Sequence, residues 1–159
     1  MNRIRIVAVG KIKEKYLTDG IREFDKRLGP FCKVEIIEVD EERMPESPSA
    51  AEKEKTLAAE GERLLKKVPP TSYLIVLDVA GQLLSSEDLA KKIAALGPAG
   101  HGDITFLIGG AFGLSPAVIA AARERLSFSR MTFTHQMIRL LLVEQVYRAF
   151  KIMRGEKYH

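Results

Sequence analysis

Hydrophobic positions along this chain follow two periods, one suited to strands and one to helices, that take turns from one end to the other. Residues 4–9 alternate and then run apolar to Gly10, as a strand does. Residues 11–27 carry Ile12, Tyr16, Leu17, Ile21 and Phe24 at helical spacing, with Leu28 continuing it, and stop at Gly29-Pro30. Residues 34–39 form a second strand. The acidic stretch 40–50, with Pro45 and Pro48, reads as a surface loop. Residues 51–68 form a helix with Leu57, Leu64 and Leu65 as its apolar edge, ended by Pro69-Pro70. Residues 73–77, nearly all apolar, suit an interior strand of a parallel sheet, closed by Asp78, with a turn at Ala80-Gly81-Gln82. Ser86 caps a helix running to about Leu96, and residues 104–108 form the fourth strand. A helix over 116–126, a short strand over 128–133 and a long helix from His135 to about Met153 complete the chain. This order predicts one α/β domain over 1–159, with a mostly parallel sheet and helices on both faces.

Composition narrows the class. With 46% apolar and 29% charged residues the chain fits a soluble globular protein, and no run approaches the roughly 18 apolar residues of a membrane span. The N-terminus starts a strand directly, without a signal-peptide pattern. A single cysteine, Cys32, excludes an internal disulfide and fits a reducing cytoplasm. The three histidines and Cys32 lie apart, so no metal site is expected. The net charge of +4 is unevenly placed: residues 123–159 hold eight basic and three acidic side chains, leaving −1 for the rest. That asymmetry points to an anionic partner, nucleic acid first among them.

Candidate chemistry gathers in the C-terminal third. Gly109, Gly110 and Gly113 follow the fourth strand, where backbone can turn sharply or approach a ligand closely. Leu114-Ser115-Pro116 then starts a helix, with Ser115 as N-cap and Pro116 at the first position. A strand, a glycine turn and a capped helix suit a small-molecule site. The first strand ends in one glycine only, and no phosphate-binding G-x-x-x-x-G-K-[ST] occurs, which argues against NAD and ATP hydrolysis. In the final helix, apolar residues at 137, 138, 140–143, 146, 147, 149, 150, 152 and 153 are too many for one face. One flank would cover the sheet and the other a second copy, which predicts a homodimer. Glu144 and Arg148 stand at i, i+4, either as an intrahelical pair or as an arginine held toward a phosphate or carbonyl. His135 reads as a cap or core histidine. The tail Arg154-Gly155-Glu156-Lys157-Tyr158-His159 has a frayed composition, although its residue types also suit a base and its phosphate.

As a set, L-I-G-G-A-F-G-L-S at 107–115, S-F-S-R-M-T-F-T-H ending at His135, R-L-L-L-V-E-Q-V-Y-R-A at 139–149 and the terminal R-G-E-K-Y-H resemble the RlmH-type 23S ribosomal RNA pseudouridine-N3 methyltransferases of the SPOUT superfamily. The resemblance covers the whole chain, including the opening I-V-A-V-G-K-I-K; Ala111 departs from the proline of many members, which touches the local loop shape. It implies an α/β trefoil knot, with knot and cofactor site over about 73–159, and S-adenosylmethionine as methyl donor. Leu77, Gly109, Phe128, Ser129, Arg130, Met131, Thr132 and Phe133 would line the cofactor site. Arg148, positioned by Glu144, would favour the anion of the target base, with Tyr158 and His159 closing the tail over it. Arg130, Arg139, Lys151 and Arg154 would meet RNA phosphates. The resemblance further implies a homodimer and 23S ribosomal RNA within the assembled ribosome as substrate. A knotted methyltransferase acting on transfer RNA and a non-catalytic ribosome-binding module are the alternatives.

Overall fold

In the computed structural model, residues 2–157 are described, and among them five strands form one sheet. These are Asn2–Val9 (β1), Cys32–Val39 (β2), Tyr73–Leu83 (β3), Asp103–Ile108 (β4) and Glu124–Ser127 (β5). All pairings are parallel, in the order β2-β1-β4-β3-β5. Five helices connect and follow them: Lys15–Leu28 (α1), Ala50–Leu65 (α2), Ser86–Leu96 (α3), Pro116–Ala121 (α4) and His135–Met153 (α5). The expected α/β architecture is therefore what the chain forms.

The alternation of the strands sorts the core into two layers. Ile4, Ile6, Ala8, Ile75, Ile104, Phe106 and Ile108 face α1, α3 and α5. Val7, Val9, Leu74, Val76 and Leu107 face α2 and α4, through Leu64 and Val118. Because successive residues of a strand point to opposite faces, the positions of β1 and β4 sealed on both sides are apolar, except for Arg5 and Thr105, which hydrogen-bond each other. The caps follow from short polar side chains: Ser49 accepts from Glu52 N and Glu52 returns the bond in a capping box, while Ser115 and Thr134 cap α4 and α5.

The doubly apolar α5 has an answer within the chain. It lies between α1 and α3 on one face of the sheet, so both apolar flanks are covered without a second copy. A Cβ on Gly20 of α1 would come within 2.9 Å of Leu140, and Ser86 of α3 donates to Gln145 at 2.6 Å. Two buried flanks alone therefore do not require a dimer. An outer line of half-buried residues remains on α5, among them Met137, Leu141, Glu144 and Arg148.

Elsewhere tertiary pairing overrides the local pattern. The expected turn at Ala80-Gly81-Gln82 is strand: β3 continues to Leu83, with its pairing to β5 shifting register between Leu77 and Gln82. The helix expected over 116–126 stops at Ala121, and residues 124–127 pair with β3 as β5. Residues 128–133 are not a strand, because no neighbour offers them a ladder and Ser129 satisfies local groups instead. Its carbonyl accepts from Ser127 Oγ and its Oγ from Met131 N, both at 3.0 Å. Ser85, not Ser86, caps α3, and α1 begins at Lys15, behind an extended Glu14 (φ −75°, ψ 120°).

Candidate active site

Where β4 ends and β3 breaks register, the chain forms a cavity of about 560 Å³, a size suited to a nucleoside-bearing ligand. Three segments meet there. The glycine turn after β4 supplies Gly109, Gly110 and Gly113; the middle of β3, where its register shifts, supplies Leu77, Asp78 and Val79; the stretch from the end of β5 to the start of α5 supplies Ser127 through Ser129 and Met131 through Gln136.

Each segment is shaped by what its sequence permits. A Cβ on Gly109 would meet the Gly113 carbonyl carbon at 2.7 Å and its oxygen closer still, so only glycine allows the turn to fold back on itself. Gly113 takes φ 89°, and its N–H donates to the Gly110 carbonyl at 3.1 Å. A Cβ on Gly110 would stand 3.2 Å from both Val9 Cγ1 and Glu60 Oε1, so the loop is seated on β1 and α2. Glu60 is itself buried, accepts from Glu42 N at 3.0 Å, and has its pKa raised above the ordinary carboxylate range by burial. The walls are otherwise mostly apolar, and Met131 (76% exposed) and Phe133 (45%) stand at the surface.

Of the residues expected around a cofactor, Leu77, Gly109, Phe128, Ser129, Met131, Thr132 and Phe133 lie on this cavity, whereas Arg130 is exposed and off its wall. Sequence reasoning missed Asp78, Ser127, His135 and Gln136 as lining residues. Asp78 had a legible signal, since it directly follows an interior strand at its C-terminal end. His135 is neither cap nor core: Thr134 is the N-cap and the half-buried imidazole lines the cavity. Burial first, and then the Arg139 guanidinium, hold its pKa below the usual histidine range, with Glu41 opposing. Protonation then favours the unfolded chain, so this contribution is intact above the unfolded value of about 6.5 and lost as pH falls below it. On lowering pH from about 7.5 to about 5, the wild-type unfolding midpoint should fall further than that of His135→Gln. Equal falls in a thermal melt would contradict that placement.

The cationic residues divide. Arg139, expected on RNA, is 2% exposed; its guanidinium pairs with Glu38 and donates to the Gly10 carbonyl at 3.1 Å. It braces the β1 end against α5 and has no surface to offer a phosphate. Arg148 and Glu144 form the expected i, i+4 pair, with Nη2 to Oε1 at 2.7 Å and Nε at 3.1 Å, and both are half-buried on the outer line of α5. They are not on the cavity wall: at about 1.5 Å rise per residue, Arg148 lies roughly 20 Å along the helix from His135. Lys151 pairs with Glu156, and the Arg154 guanidinium sits 4.9 Å from the Phe31 ring centroid. Tyr158 and His159 lie outside the described residues. Cys32 is no nucleophile: burial pushes its thiol up to about 12.

Comparison with known proteins is consistent along the whole chain. The family model described as "Predicted SPOUT methyltransferase" matches residues 2–159. A protein of Halothermothrix orenii named ribosomal RNA large subunit methyltransferase H is 59% identical over 157 residues, covering 99% of each chain. One of the same name from Carboxydothermus hydrogenoformans is 54% identical over 98% of each. A crystal structure described as a "Probable Methyltransferase" from Bordetella pertussis Tohama I has a TM-score of 0.57 at 14% identity, covering 94% of this chain and 96% of its own, a likeness of fold.

Proposed function

The chain belongs to the SPOUT methyltransferase family, and we propose that it methylates N3 of a pseudouridine in large-subunit (23S) ribosomal RNA, in the cytoplasm, using S-adenosylmethionine. The observation that carries this reading is the match over nearly both full lengths to relatives named for methylation of large-subunit ribosomal RNA. The cavity fits the donor. Its volume takes a nucleoside with a short chain, its apolar walls suit an adenine ring, and the closely packed glycine turn lets backbone groups reach the ligand. On this reading the loop around the cavity is the trefoil knot that the family resemblance implies.

When bound, S-adenosylmethionine supplies an electrophilic methyl group. The residues of the chain do the rest by orientation and charge. Leu77, Gly109 and the segment 128–133, Arg130 aside, would hold the donor and orient it toward the target base. N3 of the base must lose a proton, and Arg148 beside the base oxygens favours the resulting anion, with Glu144 fixing the guanidinium plane. Tyr158 and His159 close over the base. Arg130, Lys151 and Arg154 take RNA phosphates.

The roughly 15 Å along α5 between Arg148 and Ile138, the cavity-lining residue nearest to it on that helix, supports a homodimer in which one protomer holds the donor and its partner supplies Arg148 and the tail. The half-buried outer line of α5 is the surface such a partner would cover. Intact ribosomes are the proposed substrate state, as the resemblance implies. Nuclease digestion of labelled product, followed by mass spectrometry, tests the target: methyl on N3 of a large-subunit pseudouridine is expected, and label confined to transfer RNA would replace this reading with the other.

A further inference from the structure

One charged feature of the cavity has no part in that scheme. Among the described residues Asp78 is the only acidic one on the cavity wall, and the other titratable one there is His135. It is placed by the irregularity in β3: pairing with β5 is in register at Leu77↔Leu126 and resumes at Gln82↔Leu126, so residues 78–81 bulge outward. The bulge requires Gly81, where a Cβ would stand 2.7 Å from both the carbonyl carbon and the carbonyl oxygen of Arg125. Within it Asp78 is fixed at both oxygens. Oδ1 accepts from Ala80 N at 3.2 Å; Oδ2 accepts from Arg125 Nε at 2.9 Å and from its second guanidinium nitrogen. The carboxylate side is the more enclosed, with 16% of its side chain exposed against 42% for Arg125, so solvent screens the cation more than the anion.

We propose that Asp78 is the charge-selecting residue of the cavity, favouring the positively charged sulfonium donor over the neutral thioether product, with Arg125 as the positioning residue that sets its strength. The inference rests on the reading of the cavity as the donor site. Methyl transfer breaks the bond from methyl carbon to sulfur and forms one from methyl carbon to nitrogen, and the sulfur keeps the electron pair and loses its positive charge. Donor and product then differ by one methyl group and one unit of charge. A fixed anion in an otherwise mostly apolar cavity attracts the first and is nearly indifferent to the second. Such a wall keeps the spent product from occupying the site as tightly as fresh donor. A carboxylate with a purely structural role in the bulge would affect both ligands alike.

The test is isothermal titration calorimetry of S-adenosylmethionine and S-adenosylhomocysteine with the wild-type chain, Asp78→Asn and Arg125→Gln. Both ligands are titrated into one preparation of each protein, so partial misfolding scales both measurements and leaves their ratio intact. Asp78→Asn should lower the preference for donor over product by about three- to tenfold, the effect of one partly screened charge. Arg125→Gln, which leaves the carboxylate uncompensated, should shift the preference the other way. An unchanged ratio in Asp78→Asn, or a fall in both variants, overturns the inference while leaving the donor site standing. Failure of the wild-type chain to bind either ligand overturns the donor site itself.

Discussion

Alanine at Gly109 is expected to raise the dissociation constant for S-adenosylmethionine by roughly ten- to hundredfold, because forcing a Cβ into closely packed backbone costs about 1–3 kcal/mol. The cause is local. A Cβ at this position would overlap the Gly113 carbonyl carbon at 2.7 Å, and the obstructing atoms are backbone, which cannot rotate away. The turn would have to open, moving Gly110 off Val9 and Glu60 and changing the cavity floor. Gly100, where a Cβ would meet nothing within 4 Å, is the control for a general effect of removing glycine, although its φ of 89° makes its own substitution somewhat strained. Calorimetry reads the affinity and circular dichroism melting reads the fold. A Gly109→Ala chain that binds donor as the wild type does would show that the turn is not part of the donor site.

Arg148→Ala should lower turnover by about two to three orders of magnitude, as loss of a charge that stabilises a developing anion does, while leaving donor affinity unchanged. The placement of Arg148 far from its own cavity gives a sharper version. If each site combines the cavity of one protomer with Arg148 of its partner, Gly109→Ala and Arg148→Ala are each inactive alone but complement when mixed. Half of randomly paired dimers would then be mixed, each with one intact site, so the mixture should recover about a quarter of wild-type turnover by the symmetry of a two-fold dimer. If the two groups act within one chain, no mixed dimer contains an intact site and nothing is recovered. Turnover assays on the two variants before and after exchange of subunits separate these outcomes.

Much of the fold was legible because most of its signals are local. The bounds of α5, His135–Met153, follow from a long apolar run, although its cap is Thr134 and not His135, and the Ser115-Pro116 start of α4 follows from its cap chemistry. What the sequence hid depends on distant partners. Ala121 to Leu126 continues a helical pattern, yet β3 captures residues 124–127 as an edge strand, through pairs that run from Ile75↔Glu124 to Leu83↔Ser127. Arg139 stands on α5 like any surface arginine, and its burial against Glu38 and Gly10 depends on strands more than a hundred positions away in the chain. At the site, the glycines could be read from the strand end they follow, whereas Leu77 was implied by the family resemblance alone. The separation of Arg148 from the cavity, roughly 15 Å along α5 from Ile138, could not be read, since both belong to one contiguous set of motifs and only the helix geometry pulls them apart.

Methyl transfer itself tests the central claim most directly. Tritium-labelled S-adenosylmethionine is incubated with the protein and with ribosomes lacking the modification, and with naked ribosomal RNA in parallel. Label entering intact ribosomes, mapping to N3 of a pseudouridine in the large-subunit RNA and absent from naked RNA, is the predicted result. Donor binding without label in either preparation would contradict it and leave transfer RNA as the substrate to try next.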